Sequence, residues 1–301
     1  MQRKINLNFA PKTQYQIQKA MKKLNLKLFL ICTVISISGF AQINTPAASP
    51  STTLSQGLGL TKITIDYSRP SVKGRKIFGD LVPFGKVWRT GANKITSIKF
   101  DDEVVVNGTP VKAGSYGLYT IPNAGEWTIV LNADDKQWGS YAYDEKKDVL
   151  RFKVKASKSK YFVEQMAIDI EGINPTTADI AIKWENTEVK FRVEQQVEAK
   201  IMAEIEEKTS KPDATIDTYF SAADYYYQKG IHLDKALVWA NKVIETNKEY
   251  WAYQLVARVA AKQGNCAVAL PNAEKSMELA KKAGDDAYIK LNQAVFAQCK
   301  K

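Results

Sequence analysis

Histidine is nearly missing from this 301-residue chain: His232 is the only one. That excludes metal sites built from several imidazoles, and it leaves one residue for any catalysis that needs a histidine base. Long apolar runs are as scarce. Only the stretch around residues 28–37 approaches a membrane span, so a multi-pass protein is excluded. No phosphate-cradling glycine loop and no metal-ligand spacing occurs, so no cofactor and no metal are expected. Cysteine appears three times. What is plentiful is ordinary: 45% hydrophobic and 25% charged residues describe a folded globular chain of about two domains.

The formal charge of +11 points toward nucleic acid until its location is considered. Residues 1–41 hold seven of the 43 basic residues and none of the 32 acidic ones, so the remainder carries only +4. No nucleic-acid partner is expected. Lys22, Lys23 and Lys27 precede the short apolar run Leu28–Ile37, and Ser38-Gly39-Phe40-Ala41 places small residues before a cut at Gln42. That is the plan of a secretory signal peptide, with Met21 read as its natural start and residues 1–20 as a non-native upstream extension. The run is too short for a span, so the reading is an exported protein, periplasmic or secreted, with no membrane span after cleavage. Residues 42–60 read as a linker.

From 61 to 194 the period is two. Ile63, Ile65 and Tyr67 alternate with polar residues, as do Trp127, Ile129 and Leu131. Asn107-Gly108 between valine-rich runs is a two-residue hairpin signal, and Glu185–Glu188 reads as a second turn. Eight or nine short strands without helical pattern predict an all-β antiparallel sandwich. Beyond it the period becomes 3.6, first in a connecting helix over 195–211. Residues 212–301 then repeat: Gly230 and Gly264 are 34 apart, and Ala223 and Ala257 keep that offset. Two helices per 33–34 residues resemble the tetratricopeptide repeat, with 286–299 as a capping helix. In that register Cys299 falls level with Cys266, and a disulfide between them is predicted; the alternative is two free thiols.

Two clusters are candidates for binding. Between Thr61 and Lys99 nine basic residues face two acidic ones. Arg69, Lys73, Arg75, Trp88, Arg89 and Asn93 lie there in loop-like segments, and guanidinium groups suit planar oxyanions. Solvated loop charge, with ion pairs to Asp66, Asp80 or Asp144, is the alternative. The second cluster is aromatic, Trp138, Tyr141 and Tyr143, and serves either as a platform for a sugar or peptide or as core. His232 reads as an exposed turn residue. The acidic pairs Asp134-Asp135 and Asp144-Glu145 would suit glycoside hydrolysis only if two carboxyls faced each other across a cleft. No catalytic residues are assigned.

The runs Ile65-Asp66-Tyr67-Ser68-Arg69-Pro70, Lys73-Gly74-Arg75-Lys76-Ile77-Phe78-Gly79 and Val87-Trp88-Arg89-Thr90-Gly91-Ala92-Asn93 resemble a bacterial envelope family, domain of unknown function 2911. Ala113–Pro122, Glu126–Ile129 and Trp138–Asp144 continue the resemblance, which spans about residues 50–184. It implies an exported protein of the Bacteroidetes type and transfers no catalytic residue. The function expected is non-catalytic binding. An anionic small molecule, glycan or peptide would sit at the β domain and a protein partner at the repeats. An envelope hydrolase acting on glycans, and a purely structural envelope component, are the alternatives.

Overall fold

The computed structural model describes residues 45–300 together with Gln16 and Lys19. Apart from those two, the expected signal segment, including Met21 and Cys32, lies outside the described residues. Ser51–Lys301 form one compact unit.

Nine strands come first: β1 Ser51–Leu58, β2 Thr61–Ser68, β3 Ser97–Phe100, β4 Val104–Val106, β5 Thr109–Val111, β6 Gly114–Ile121, β7 Glu126–Asn132, β8 Asp148–Glu171 and β9 Thr177–Glu194. They pair antiparallel throughout, in the order β1-β2-β3-β6-β7-β8-β9-β4-β5. The hairpin between β4 and β5 turns at Asn107 (φ 48°) and Gly108 (φ 86°), the left-handed conformation that this dipeptide tolerates. The sheet closes over one core. The Tyr67 hydroxyl of β2 bonds both backbone groups of Ile168 in β8, accepting from N at 2.9 Å and donating to O at 3.3 Å. Phe78, Trp88, Trp127 and Trp184 meet inside with ring centroids 4.7–6.3 Å apart. Burying such rings supplies the largest apolar areas in any core.

Three sequence expectations change. The supposed linker 42–60 contains β1, an edge strand paired along its length with β2; its Ser/Thr-rich sequence conceals it because only one neighbour has to be satisfied. Glu185–Glu188 is not a turn. Strand β9 runs through it, with Glu185 at φ 56°, because β8 bulges opposite that point. The strands are also not all short. β8 is 24 residues long, pairing with β7 through its first part and with β9 through its remainder.

Strand β6 is buried on both faces. Tyr116 and Leu118 enter the main core, whereas Tyr119 joins Ile95 and Val130 in a second, smaller apolar cluster flanked by Val87 and Tyr143. Residues 86–96 and 133–148 therefore lie over the outer side of the sheet. Gly117 shows how closely: a Cβ there would stand 2.5 Å from the Asp134 carbonyl oxygen and 2.6 Å from Ile95 Cδ1.

Six helices follow among the described residues: α1 Glu198–Thr209, α2 Ile216–Lys229, α3 Leu233–Thr246, α4 Tyr250–Lys262, α5 Cys266–Ala283 and α6 Asp286–Cys299. The repeated alanines are the seams. Ala223, Ala236 and Ala240 of the first pair and Ala257, Ala269 and Ala273 of the second are all fully buried. Small side chains there let helix axes approach closely. α6 packs on α4 and α5 through Val295, and Cys266–Cys299 is a disulfide with the Cα atoms 5.5 Å apart.

Candidate functional site

The basic residues separate into two groups. After β2 the chain crosses to the flank of β8, where Val72 N–H donates to Glu164 O and Met166 N–H to Pro70 O. Arg69 follows it, donating from Nε to the Met166 carbonyl at 2.9 Å. Arg75 folds back on its own turn, reaching the Val72 and Ser71 carbonyls at 3.0 and 2.6 Å. Lys73 is exposed nearby. Arg89 is on the segment that pairs with β6 through Trp88 and Thr120, and Gly91 of that segment lies against the Ser68 backbone, next to Arg69. Arg69 and Arg75 each reach different backbone carbonyls. None of the three arginines is ion-paired with a carboxylate among the described residues, so the alternative of internal salt bridges to Asp66, Asp80 and Asp144 is not realised for them. Trp88 is core: it stacks on Trp184 at 5.8 Å and its indole N–H donates to Gly91 O.

A different grouping forms instead. Residues 93–95 run beside residues 137–139, where Lys94 bridges Trp138, Gly139 N–H donates to Asn93 O, and Ile95 N–H donates to Gln137 O. The second basic segment and the aromatic cluster, 40 to 50 residues apart in sequence, are thereby made neighbours. Trp138 is 70% exposed and Tyr141 92%. Two large rings are thus left exposed beside a backbone pairing, a candidate contact surface. Tyr143 belongs underneath: it packs edge-on against Tyr119 and donates to Asp148 at 2.6 Å.

The loop that presents Asn93 and Lys94 is held in a costly conformation. Thr90 has φ 53°, uncommon for a β-branched residue, and Asn93 has φ 60°. Thr90 is kept there by its hydroxyl bond to Thr120 and by the Thr96 hydroxyl donating to its carbonyl at 2.6 Å. The neck of the loop is closed by Thr96 N–H donating to Arg89 O. Arg89 itself is half-buried, and its Nε is buried with no hydrogen-bond partner. Asn93 Nδ2 reaches Ser68 Oγ at 3.4 Å.

On the β2 side of Lys94 opens a cleft of about 200 Å³, into which Thr53, Asp66, Ser68 and Ser97 face. The Thr53 hydroxyl donates to Asp66, and Ser97 Oγ donates to Asp135 at 3.2 Å. The sequence reading missed these hydroxyls because β1 passed for linker, and it saw Lys94 only as one charge among nine. The signal present was the Ser/Thr run Ser49–Ser55 just before an obvious strand.

The acidic pairs are occupied. Asp134 accepts from Gln137 Nε2 at 2.7 Å and from Lys147 at 3.1 Å, and these bonds hold its carboxyl below the usual range. Asp144 caps the short turn at Glu145–Lys147, and Glu145 pairs with Arg151 at 3.2 Å. Among the described residues every carboxyl with a resolved shift is held down, by hydrogen bonds from lysines or, first for Asp134, from Gln137. A glycosidase acid needs the opposite shift. His232 is exposed at the start of α3, beside the Tyr226 ring.

Residues 49–193 match the family model described as Protein of unknown function (DUF2911). No curated protein and no solved structure matches the chain.

Proposed function

We propose, for a chain whose residues 49–193 match that family model, that the protein is an exported, non-catalytic binding protein whose β domain takes an anionic glycan. The observation that carries this reading is the Lys94–Trp138 bridge, which sets two exposed aromatic rings beside a hydroxyl-lined cleft containing a lysine. Sugar rings stack on aromatic faces, their hydroxyls exchange hydrogen bonds with Ser, Thr and Asp, and a uronate or sulfate would pair with Lys94 or Arg89. Export is supported by the Cys266–Cys299 bridge, since disulfides persist in oxidising compartments.

The helices add a second binding capacity of the tetratricopeptide kind. A cavity of about 480 Å³ between α1 and α2 is lined by Ile201, Ile205 and Tyr225 with Lys208 and Asp217 at its rim, dimensions suited to a peptide side chain.

The test is calorimetric titration and thermal shift with a uronate-bearing oligosaccharide and its neutral counterpart. At ~100-fold excess over its dissociation constant the acidic sugar should stabilise the protein by about 2.7 kcal/mol. Trp138→Ala should abolish that gain, and Lys94→Ala should remove the preference for the acidic sugar. Binding that survives Trp138→Ala would place the ligand elsewhere.

A further inference from the structure

Halfway along β8 the pairing with β9 loses register. Lys158 stands opposite Thr187 and Val163 opposite Glu185, so four residues of β8, Ser159–Phe162, face Asn186 alone. A bulge that long has to leave the plane of the sheet. Ser159 turns inward and is buried, while Tyr161 and Phe162 turn out, 69% and 55% exposed. The crossing segment 70–72 lies along the next stretch of β8, pairing Ser71 with Gln165, and Lys73 N–H donates to Glu164. The turn that follows therefore stands beside the bulge with Lys73, Arg75 and Lys76 exposed.

The charge around this aromatic tip is one-sided. Lys155, Lys158 and Lys160 flank it on β8, and Lys73, Arg75 and Lys76 adjoin it. None of the six is ion-paired with a carboxylate among the described residues. The carboxylates facing it are Glu164, which receives the Lys73 backbone, and Glu185 and Glu188 on β9, the last paired with Lys190. Lys160 lies over the Tyr161 ring at 5.2 Å. Elsewhere lysines of β8 and β9 do find carboxylates, as Lys153 with Glu126 and Lys183 with Asp169 and Glu171.

We propose that this bulge is a membrane-contact tip that seats Tyr161 and Phe162 at the headgroup level of an anionic bilayer while the surrounding cations meet the lipid phosphates. The chemistry selects this occupant: two adjacent exposed rings are bordered by cations without carboxylate partners among the described residues. An interface of lipid headgroups accepts amphipathic rings without a complementary cavity, and unpaired lysines beside them are attracted to its charge. The tip uses none of the residues that line the Lys94 cleft, so it neither requires nor replaces glycan binding.

The experiment is co-sedimentation of the full chain with vesicles of phosphatidylglycerol in phosphatidylcholine, and with phosphatidylcholine alone. It compares wild type with Tyr161→Ser/Phe162→Ser and with Lys158→Gln/Lys160→Gln. All variants share residues 1–44, so differences report the tip. The side chains replaced are exposed, and circular dichroism with a thermal melt verifies that each variant is folded. Wild type should partition to the anionic vesicles in a salt-sensitive way. The lysine pair should weaken this by roughly fivefold per charge removed, and the aromatic pair should weaken it at every salt concentration. Equal partition of wild type and both folded variants, or no preference for anionic lipid, would overturn the proposal. So would capture of the wild-type tip by a protein with vesicles left unbound.

Discussion

Gly117 is the residue on which the layering over the sheet turns. With Asp134 and Ile95 occupying the space a side chain would need, Gly117→Ala should destabilise the β domain by about 1–3 kcal/mol through overpacking, read as a lower midpoint in urea. The tyrosines just beyond it give a second measurement. Burial, aided by the charges of Asp134 and Asp148, pushes Tyr119 up from 10.0 to about 12. Burial and the hydrogen bond to Asp148 push Tyr143 equally far. Because the folded values are the higher ones, the stability these phenols contribute is complete below the unfolded value near 10. It is lost as pH rises through about 12. Compared with Tyr119→Phe/Tyr143→Phe, the phenolate absorbance of wild type should show two further tyrosines that ionise only as the protein unfolds at alkaline pH. Two early titrations would mean that the cover formed by residues 133–148 is open. At the acid end Asp134, held down by Gln137 and Lys147, contributes above its unfolded value and loses that contribution as pH falls through its folded one.

Among the elements, the helical pairs were the most legible. A 34-residue offset of small residues fixes where helices touch, and that register sets Cys266 level with Cys299. Closing a loop of 33 residues, the bridge should be worth about 2–4 kcal/mol. Cys266→Ser/Cys299→Ser should lower the unfolding free energy by that amount, read as a lower denaturant midpoint, and reductant should do the same to wild type but nothing to the variant. The strands were less legible. Alternation located β2, β7 and the β4–β5 hairpin, yet it missed β1 and broke β9 in two. A polar edge strand and a strand facing a bulge both lack the regular alternation that burial of one face imposes.

For the molecule as a whole, the junction of strands and helices rests on Gln195. This buried side chain accepts from Leu60 N–H at 2.5 Å and donates to Asp102, which also pairs with Lys200 of α1 at 2.7 Å. Gln195→Ala removes the bond to the Leu60 N–H, a loss of about 0.5–1.5 kcal/mol. Hydrogen exchange should then rise at Leu60 and along the start of α1 while the β6–β7 core stays protected. Uniform exchange across both would mean that the junction carries no local stability.

Composition and periodicity by themselves determined the order of strands before helices, the antiparallel class and the disulfide. These depend on residues close in sequence or on a fixed spacing, which a linear pattern records. Which basic residues became neighbours of the aromatic ones, and which were folded back on carbonyls, was decided by tertiary pairing alone. The 93–95 segment meets 137–139 only because Tyr119, Ile95 and Val130 demand burial on the outer side of β6 and β7. That requirement exists in the packed sheet and in no stretch of sequence.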